Sequence, residues 1–322
     1  MKKLFVFVVF SVFFCSAQAV EPPIEDCTGY TIPAAALLPH LMTVVPQQIG
    51  LQNAHQKEII RFSNSIANLG EGLWWLEPEF PGVTDINQVQ SAHQVFSSAS
   101  IVTDPVPPAD TNDVLGRCKA GEFAFHPSHN HWHINNVAEF KVCPENDFNT
   151  NKLAGHPDQC TAASGDNGVA ASVKVTFCLI DWYKLGENTA TSDPTRNFWE
   201  CATSFQGITP GWVDQYHHST PDQQIDITGI QAGIYYLVTT SNYNLSFRES
   251  DTTNNTSWVK LQLTRNNNSN GNLKIIELSN ACTDGSGYRE DQLYPAVDNF
   301  TSNENLRAKI KDQMCGNMSS NK

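Results

Sequence analysis

The sequence predicts a mainly β protein: a β-sandwich-like core with long loops, a little terminal helix and disulfide reinforcement. Three observations carry that expectation. Apolar and polar residues alternate over short runs, Gly, Pro, Asn and Asp separate those runs, and the cysteines left after an export leader are even in number.

The clearest alternation covers residues 173–179, where Val173, Val175, Phe177 and Leu179 interleave with Lys174, Thr176 and Cys178. A period of two buries one face of a strand and turns Lys174 away from the core side. Runs of the same kind occupy residues 59–62, 137–142, 225–230, 234–239 and 258–263. Helix is expected only near the end, over 303–314, where Leu306 and Ile310 recur at helical spacing, and a Cys282–Cys315 bridge would pin that tail. Pro105, Pro107 and Pro108 mark one loop and the asparagines at 266–270 another, but neither is long enough to act as a linker. Residues 20–322 therefore read as a single domain.

Lys2 and Lys3 precede an apolar run over residues 4–14, and Ala17-Gln18-Ala19 supplies small residues for cleavage. Residues 1–19 read as a signal peptide, which predicts a secreted, extracellular product. The run is well short of the roughly 20 residues of a spanning helix, so no membrane span is expected. Removing the leader takes Cys15 and leaves Cys27, Cys118, Cys143, Cys160, Cys178, Cys201, Cys282 and Cys315, enough for up to four disulfides in an oxidising compartment. Asn244, Asn254, Asn255, Asn267, Asn299 and Asn317 each open an Asn-x-Ser/Thr triplet, which matters in a eukaryotic host. The formal charge of −13 excludes nucleic acid as a partner and favours cationic ones, such as an amine or a lysine-rich polypeptide.

The chemistry gathers in Phe125-His126-Pro127-Ser128-His129-Asn130-His131-Trp132-His133, which holds four of the ten histidines. On an extended strand His129, His131 and His133 share a face at spacings of roughly 7 Å, within reach of one metal ion. Trp132 then points the other way, into the core. Three neutral imidazoles leave a coordination position open and suit zinc, copper or nickel alike. Pro127 interrupts the alternation, so His126 is expected to support the ligands rather than to join them.

With Glu139-Phe140 downstream, that run resembles the copper-binding segment of the lysyl oxidase family. Lys174-Val175-Thr176-Phe177-Cys178-Leu179 is similar to the family segment whose lysine becomes half of an organic cofactor. Gln206-Gly207-Ile208-Thr209-Pro210-Gly211-Trp212-Val213-Asp214-Gln215-Tyr216 is similar to the segment whose tyrosine becomes the other half. Ile225-Asp226-Ile227-Thr228 and Glu249-Ser250-Asp251-Thr252-Thr253-Asn254-Asn255 follow in the family's order, and Leu38-Pro39, Arg61-Phe62 and Asn68-Leu69-Gly70 match loosely upstream. The resemblance spans residues 38–263.

It implies a lysyl oxidase-like catalytic domain: a copper-dependent amine oxidase of the protein-lysine 6-oxidase kind, with copper on His129, His131 and His133. It further implies a lysine tyrosylquinone made from Lys174 and Tyr216, dioxygen as oxidant, and a primary amine, above all peptidyl lysine, as substrate. Asp214, two residues before Tyr216, is the candidate base. The chain departs from the pattern in three places. Ser128 stands where animal members carry a cysteine, so Cys201 needs another partner. Extra residues occupy 182–195, and the second cysteine pair flanking the tyrosine segment is missing. Two other readings compete: a secreted copper-binding or matrix protein without turnover, and a zinc hydrolase with Glu139 as its base.

Overall fold

The computed structural model describes residues 24–279, apart from 55, 81, 100–112, 167, 185–195, 202–204 and 267–270. The signal segment 1–19, the helix expected over 303–314 and the Cys282–Cys315 pair all lie outside these residues. So do Pro105, Pro107, Pro108, Asn267, Asn299 and Asn317.

The strands are β1 (Leu41–Ala54), β2 (Lys57–Asn68), β3 (Trp74–Pro78), β4 (Gln90–Ser97), β5 (Val114–His126), β6 (His131–Pro144) and β7 (Ser172–Phe177). They continue with β8 (Tyr183–Lys184), β9 (Gln206–Ile208), β10 (Trp212–Tyr216), β11 (Gln224–Asp226), β12 (Gly233–Ser241), β13 (Thr256–Arg265) and β14 (Gly271–Leu278). They form two antiparallel sheets. The smaller runs β1-β2-β10-β8, with β11 also paired to β2. The larger runs β14-β13-β12-β6-β5-β4-β3-β9, with β7 on β6.

Both sheets turn apolar faces to one core. Leu41, Phe62 and Ile66 of the smaller sheet join Phe123, Phe140, Phe177 and Leu261 of the larger in a single buried cluster. Phe62 meets Phe140 edge-on across the gap, with centroids 5.0 Å apart. The mainly β, sandwich-like expectation is met. Every internal run forms strand, but the one expected over 225–230 stops early: β11 ends at Asp226, whose Oδ1 accepts the Thr228 N–H and hydroxyl at 3.0 and 2.6 Å. Such a side-chain turn competes with the ladder and ends it.

Three disulfides join Cys27 to Cys118, Cys143 to Cys160 and Cys178 to Cys201. Cys201 thus finds its partner at the end of the lysine-bearing strand.

The helix α1 (Glu145–Leu153) was not legible in the sequence. Glu145-Asn146-Asp147-Phe148-Asn149-Thr150-Asn151-Lys152-Leu153 has no apolar period and buries only Phe148. Tertiary contacts hold it instead: Phe148 stacks on Tyr236 at 3.9 Å and meets Trp258 at 5.5 Å, and the Cys143–Cys160 bridge brackets the turn. Packing rather than propensity makes such a helix.

One glycine positions the site. A Cβ on Gly207 would stand 2.0 Å from the Trp74 carbonyl oxygen and 2.7 Å from the Phe198 ring, so β9 closes on β3 only because nothing is there.

Candidate metal centre

β5 and β6 pair with His126 opposite His131, and residues 127–130 turn between them. The His126 carbonyl accepts both the His129 and Asn130 N–H groups, at 3.1 and 2.9 Å, and Asn130 sits at φ 58°. Asparagine tolerates that left-handed conformation. The turn corrects one expectation: His131 and His133 stand on the strand, but His129 does not continue it. His129 instead folds back over the strand from the turn.

All four imidazoles converge as a result. The His126 centroid lies 4.4 Å from both His129 and His133, and His131 lies 4.9 Å from His133 and 5.5 Å from His129. Ring nitrogens of His126, His129 and His133 come within 4.8 Å of one another. His126 is therefore nearer the centre than the broken alternation suggests. Its Nδ1 lies 3.0 Å from the Ser128 hydroxyl, which donates to Asp222 at 2.6 Å.

His133 is the hub. Its Nδ1 is 2.7 Å from the Thr176 hydroxyl on β7, and its Nε2 faces His129 Nδ1 at 3.0 Å and the Tyr216 hydroxyl at 3.2 Å. That hydroxyl also accepts the Cys178 N–H at 2.8 Å, which leaves its hydrogen free to point at His133. Tyr216 reaches this place from the opposite sheet because β10 pairs with β2, Tyr216 opposite Asn64.

The donor set suits a late first-row metal. Burial, reinforced by the charges of its neighbours, holds the His133 imidazole down to about 2, and burial likewise lowers His126 and His131. Neutral imidazoles keep their lone pairs for a cation. His131 Nε2 is buried with no hydrogen-bond partner among the described residues, but its ring groups with the Cys178 and Cys201 sulfurs rather than with the converging nitrogens of His126, His129 and His133. The disulfide between those cysteines removes them as thiolates.

The low His133 pKa has a measurable consequence. An unfolded histidine takes up a proton near pH 6.5 and the folded His133 does not until about 2, so its contribution to stability is lost as pH falls below 6.5. Asp181 and Glu249, pushed up by burial to about 6 and about 7, act in the opposite sense, so wild type is best read against His133→Asn. Between pH 6.5 and 5.5 in chelator, wild type should lose ~1 kcal/mol more than the variant. Equal slopes in thermal melts would refute the assignment.

Asp214 shares a face of β10 with Tyr216, and both are buried. Burial pushes the Asp214 carboxyl well above the ordinary range, and its Oδ2 has no hydrogen-bond partner among the described residues. Burial raises the Tyr216 phenol as well, with the Asp214 charge adding to it. As a base Asp214 must first lose its own proton, which a cation entering beside it would favour.

Lys174 turns away from the core, as the alternation implies: it shares the β7 face with Thr176, is exposed, and its Nζ sits 5.0 Å from the Tyr243 ring centroid. Glu139, opposite Lys174 in the ladder, is held by Lys141 at 2.9 Å. The zinc hydrolase reading thus loses its carboxylate to an ion pair.

A cavity of about 450 Å³ opens onto these groups. His129, His131, Asp214, Tyr216, Ile180 and Trp182 are among the residues that line it. Behind it, Asp181 is fully buried and holds the tyrosine segment. Its Oδ1 accepts Thr209 N–H at 2.7 Å, and its Oδ2 accepts Asn197 N–H at 2.9 Å, Phe198 N–H at 3.0 Å and the Thr209 hydroxyl at 2.6 Å. Sequence reasoning missed Asp181 and Thr176. The one signal for Asp181 was a lone carboxylate inside the apolar stretch 177–183.

Comparison with known proteins agrees with this architecture. The chain is 29% identical over 167 residues to lysyl oxidase homolog 1 of Bos taurus, which is 52% of this chain and 24% of that protein. It is 29% identical over 145 residues to protein-lysine 6-oxidase of Homo sapiens, 45% of this chain and 29% of that one. A 28% match to protein-lysine 6-oxidase of Sus scrofa covers 45% of this chain and 49% of the relative. The chain therefore spans a quarter to a half of the length of these relatives. The family model for lysyl oxidase matches residues 83–272, more than half of the chain and all of the imidazole cluster, so the chain belongs to the lysyl oxidase family.

Proposed function

We propose that this chain is a secreted copper-dependent amine oxidase that converts primary amines to aldehydes. Each turnover consumes amine, dioxygen and water and yields aldehyde, ammonia and hydrogen peroxide. The relatives named protein-lysine 6-oxidase make peptidyl lysine the expected substrate. His129, His131 and His133 would hold the copper, and Lys174 and Tyr216 would supply the lysine tyrosylquinone. The copper would supply the redox chemistry that forms the quinone from tyrosine and dioxygen, and the quinone would supply a two-electron sink for the amine.

The observation that carries this reading is the Tyr216 hydroxyl, 3.2 Å from His133 Nε2 inside the imidazole cluster and lining the cavity. A phenol held there sits beside any metal the histidines bind. Thr176 fixes the His133 ring and the Cys178 N–H fixes the phenol. Asp214, which lines the same cavity, would take the proton from the substrate carbon.

One observation favours a second reading, a secreted copper-binding protein without turnover: Lys174 rests over Tyr243, with no contact to Tyr216 among the described residues. Its side chain must swing from that perch before it can bond the Tyr216 ring. Copper-loaded protein should therefore release peroxide with butylamine and with a lysine-rich polypeptide, and digestion should yield the Lys174 and Tyr216 peptides as one covalent species. No peroxide with any primary amine, with the two peptides separate, would sink the oxidase and leave the binding protein.

A further inference from the structure

We infer that Trp182 recognises the amine substrate by laying its indole against the alkyl stem of an extended aliphatic chain in the cavity it shares with Tyr216. The inference deepens the oxidase reading and rests on it for the substrate class. Trp182 is 57% exposed, whereas Trp74, Trp75, Trp132, Trp212 and Trp258 are all buried. What sets Trp182 apart from other exposed apolar side chains is that it lines the cavity that also holds Tyr216 and Asp214.

The indole is exposed on a rigid frame. The Trp182 N–H donates to the Val213 carbonyl at 2.9 Å, on the strand that carries Tyr216. On either side, Asp181 is fully buried, and Tyr183 pairs with Val213 in the sheet. Backbone fixed on both sides holds the ring ready at little entropic cost to binding.

The surroundings favour a cationic substrate. No lysine or arginine is among the described residues that line the cavity. Asp222 presents an acid beside the rim through its bond to Ser128, and the chain as a whole carries a formal charge of −13. The stem of a long aliphatic amine meets the aromatic face of Trp182 and the apolar Ile180 while its nitrogen reaches Tyr216. A short amine has no stem to lay there.

The test compares N-acetyl-lysine amide with methylamine in copper-loaded wild type, Trp182→Ala and Trp182→Phe. For the lysine derivative, Trp182→Ala should raise KM by about tenfold with kcat little changed, and Trp182→Phe should recover part of the loss. The effect on methylamine should be several-fold smaller than on the lysine derivative. An unchanged KM for the lysine derivative, or an equal loss with methylamine, would overturn the inference. A second measurement does not depend on turnover. In protein labelled at the tryptophan indole nitrogens, N-acetyl-lysine amide should shift one indole resonance, the one missing from Trp182→Phe. If wild type makes no peroxide but that shift is seen, the oxidase reading fails and the amine grip stands; if the shift is absent, the grip fails.

Discussion

Tyr216→Phe is expected to reduce peroxide release to the level of metal-free protein, a loss of at least about a thousandfold, while copper still binds and the fold survives. The substitution keeps the ring, so its 4.3 Å packing on Phe177 persists. It deletes one oxygen. That oxygen accepts the Cys178 N–H and meets His133 Nε2, and without it a buried N–H is left unpaired, a cost of ~1–3 kcal/mol. The imidazoles keep their nitrogens, so metal content measured on the purified variant should match wild type. Visible quinone absorption and the covalent Lys174–Tyr216 peptide should both vanish. Turnover surviving at more than a few per cent of wild type would show that Tyr216 is not the redox centre and would redirect attention to another group at the cavity.

The expected loss differs in kind from that of a ligand variant. His133→Ala removes the hub that touches Thr176, His129 and Tyr216 at once, so it should cost metal and phenol position together. Copper retention with lost turnover is thus the signature of the tyrosine, and loss of both is that of the histidine.

How far the sequence revealed this centre depended on how local each determinant is. Alternation along 173–179 and the tryptophan between His131 and His133 declared strands because a period of two is written in neighbouring residues. The position of His129 was not, because it depends on Asn130 adopting φ 58° and closing a turn, a choice tertiary pairing of β5 with β6 makes. The same turn brings His126 into the cluster, closer than the supporting place that the break at Pro127 suggests. Helix α1 was invisible for the same reason: Phe148 finds its partners on β12 and β13, over eighty residues away in sequence. Lys174 and Tyr216 became candidates only through the family's block order, and neither residue's surroundings could be read from the chain. Cys178–Cys201 illustrates the converse. Losing the animal-type cysteine at Ser128 left Cys201 without a partner, and the fold supplies one at the end of β7.

Asp181 should have the largest effect on stability. In Asp181→Asn an oxygen is replaced by an amide NH₂, and whichever orientation it takes, that group must face N–H donors: Thr209 on one side, or Asn197 and Phe198 on the other. Donor against donor leaves buried groups unpaired, so the loss should reach ~3–5 kcal/mol, or about 10 °C in Tm for a domain of this size. Thr209→Val removes one hydroxyl and leaves the three backbone donors satisfied, so it should cost no more than ~2 kcal/mol. The carboxylate ties residues 196–198 to the segment that leads into β10, and Trp182 follows it directly in the chain. Loosening it should therefore slacken both the Tyr216 strand and the cavity wall, raising KM for lysine substrates in the fraction that remains folded. A melt within 2 °C of wild type for Asp181→Asn would mean that water replaces these bonds, and that the frame holding the phenol against His133 is anchored elsewhere.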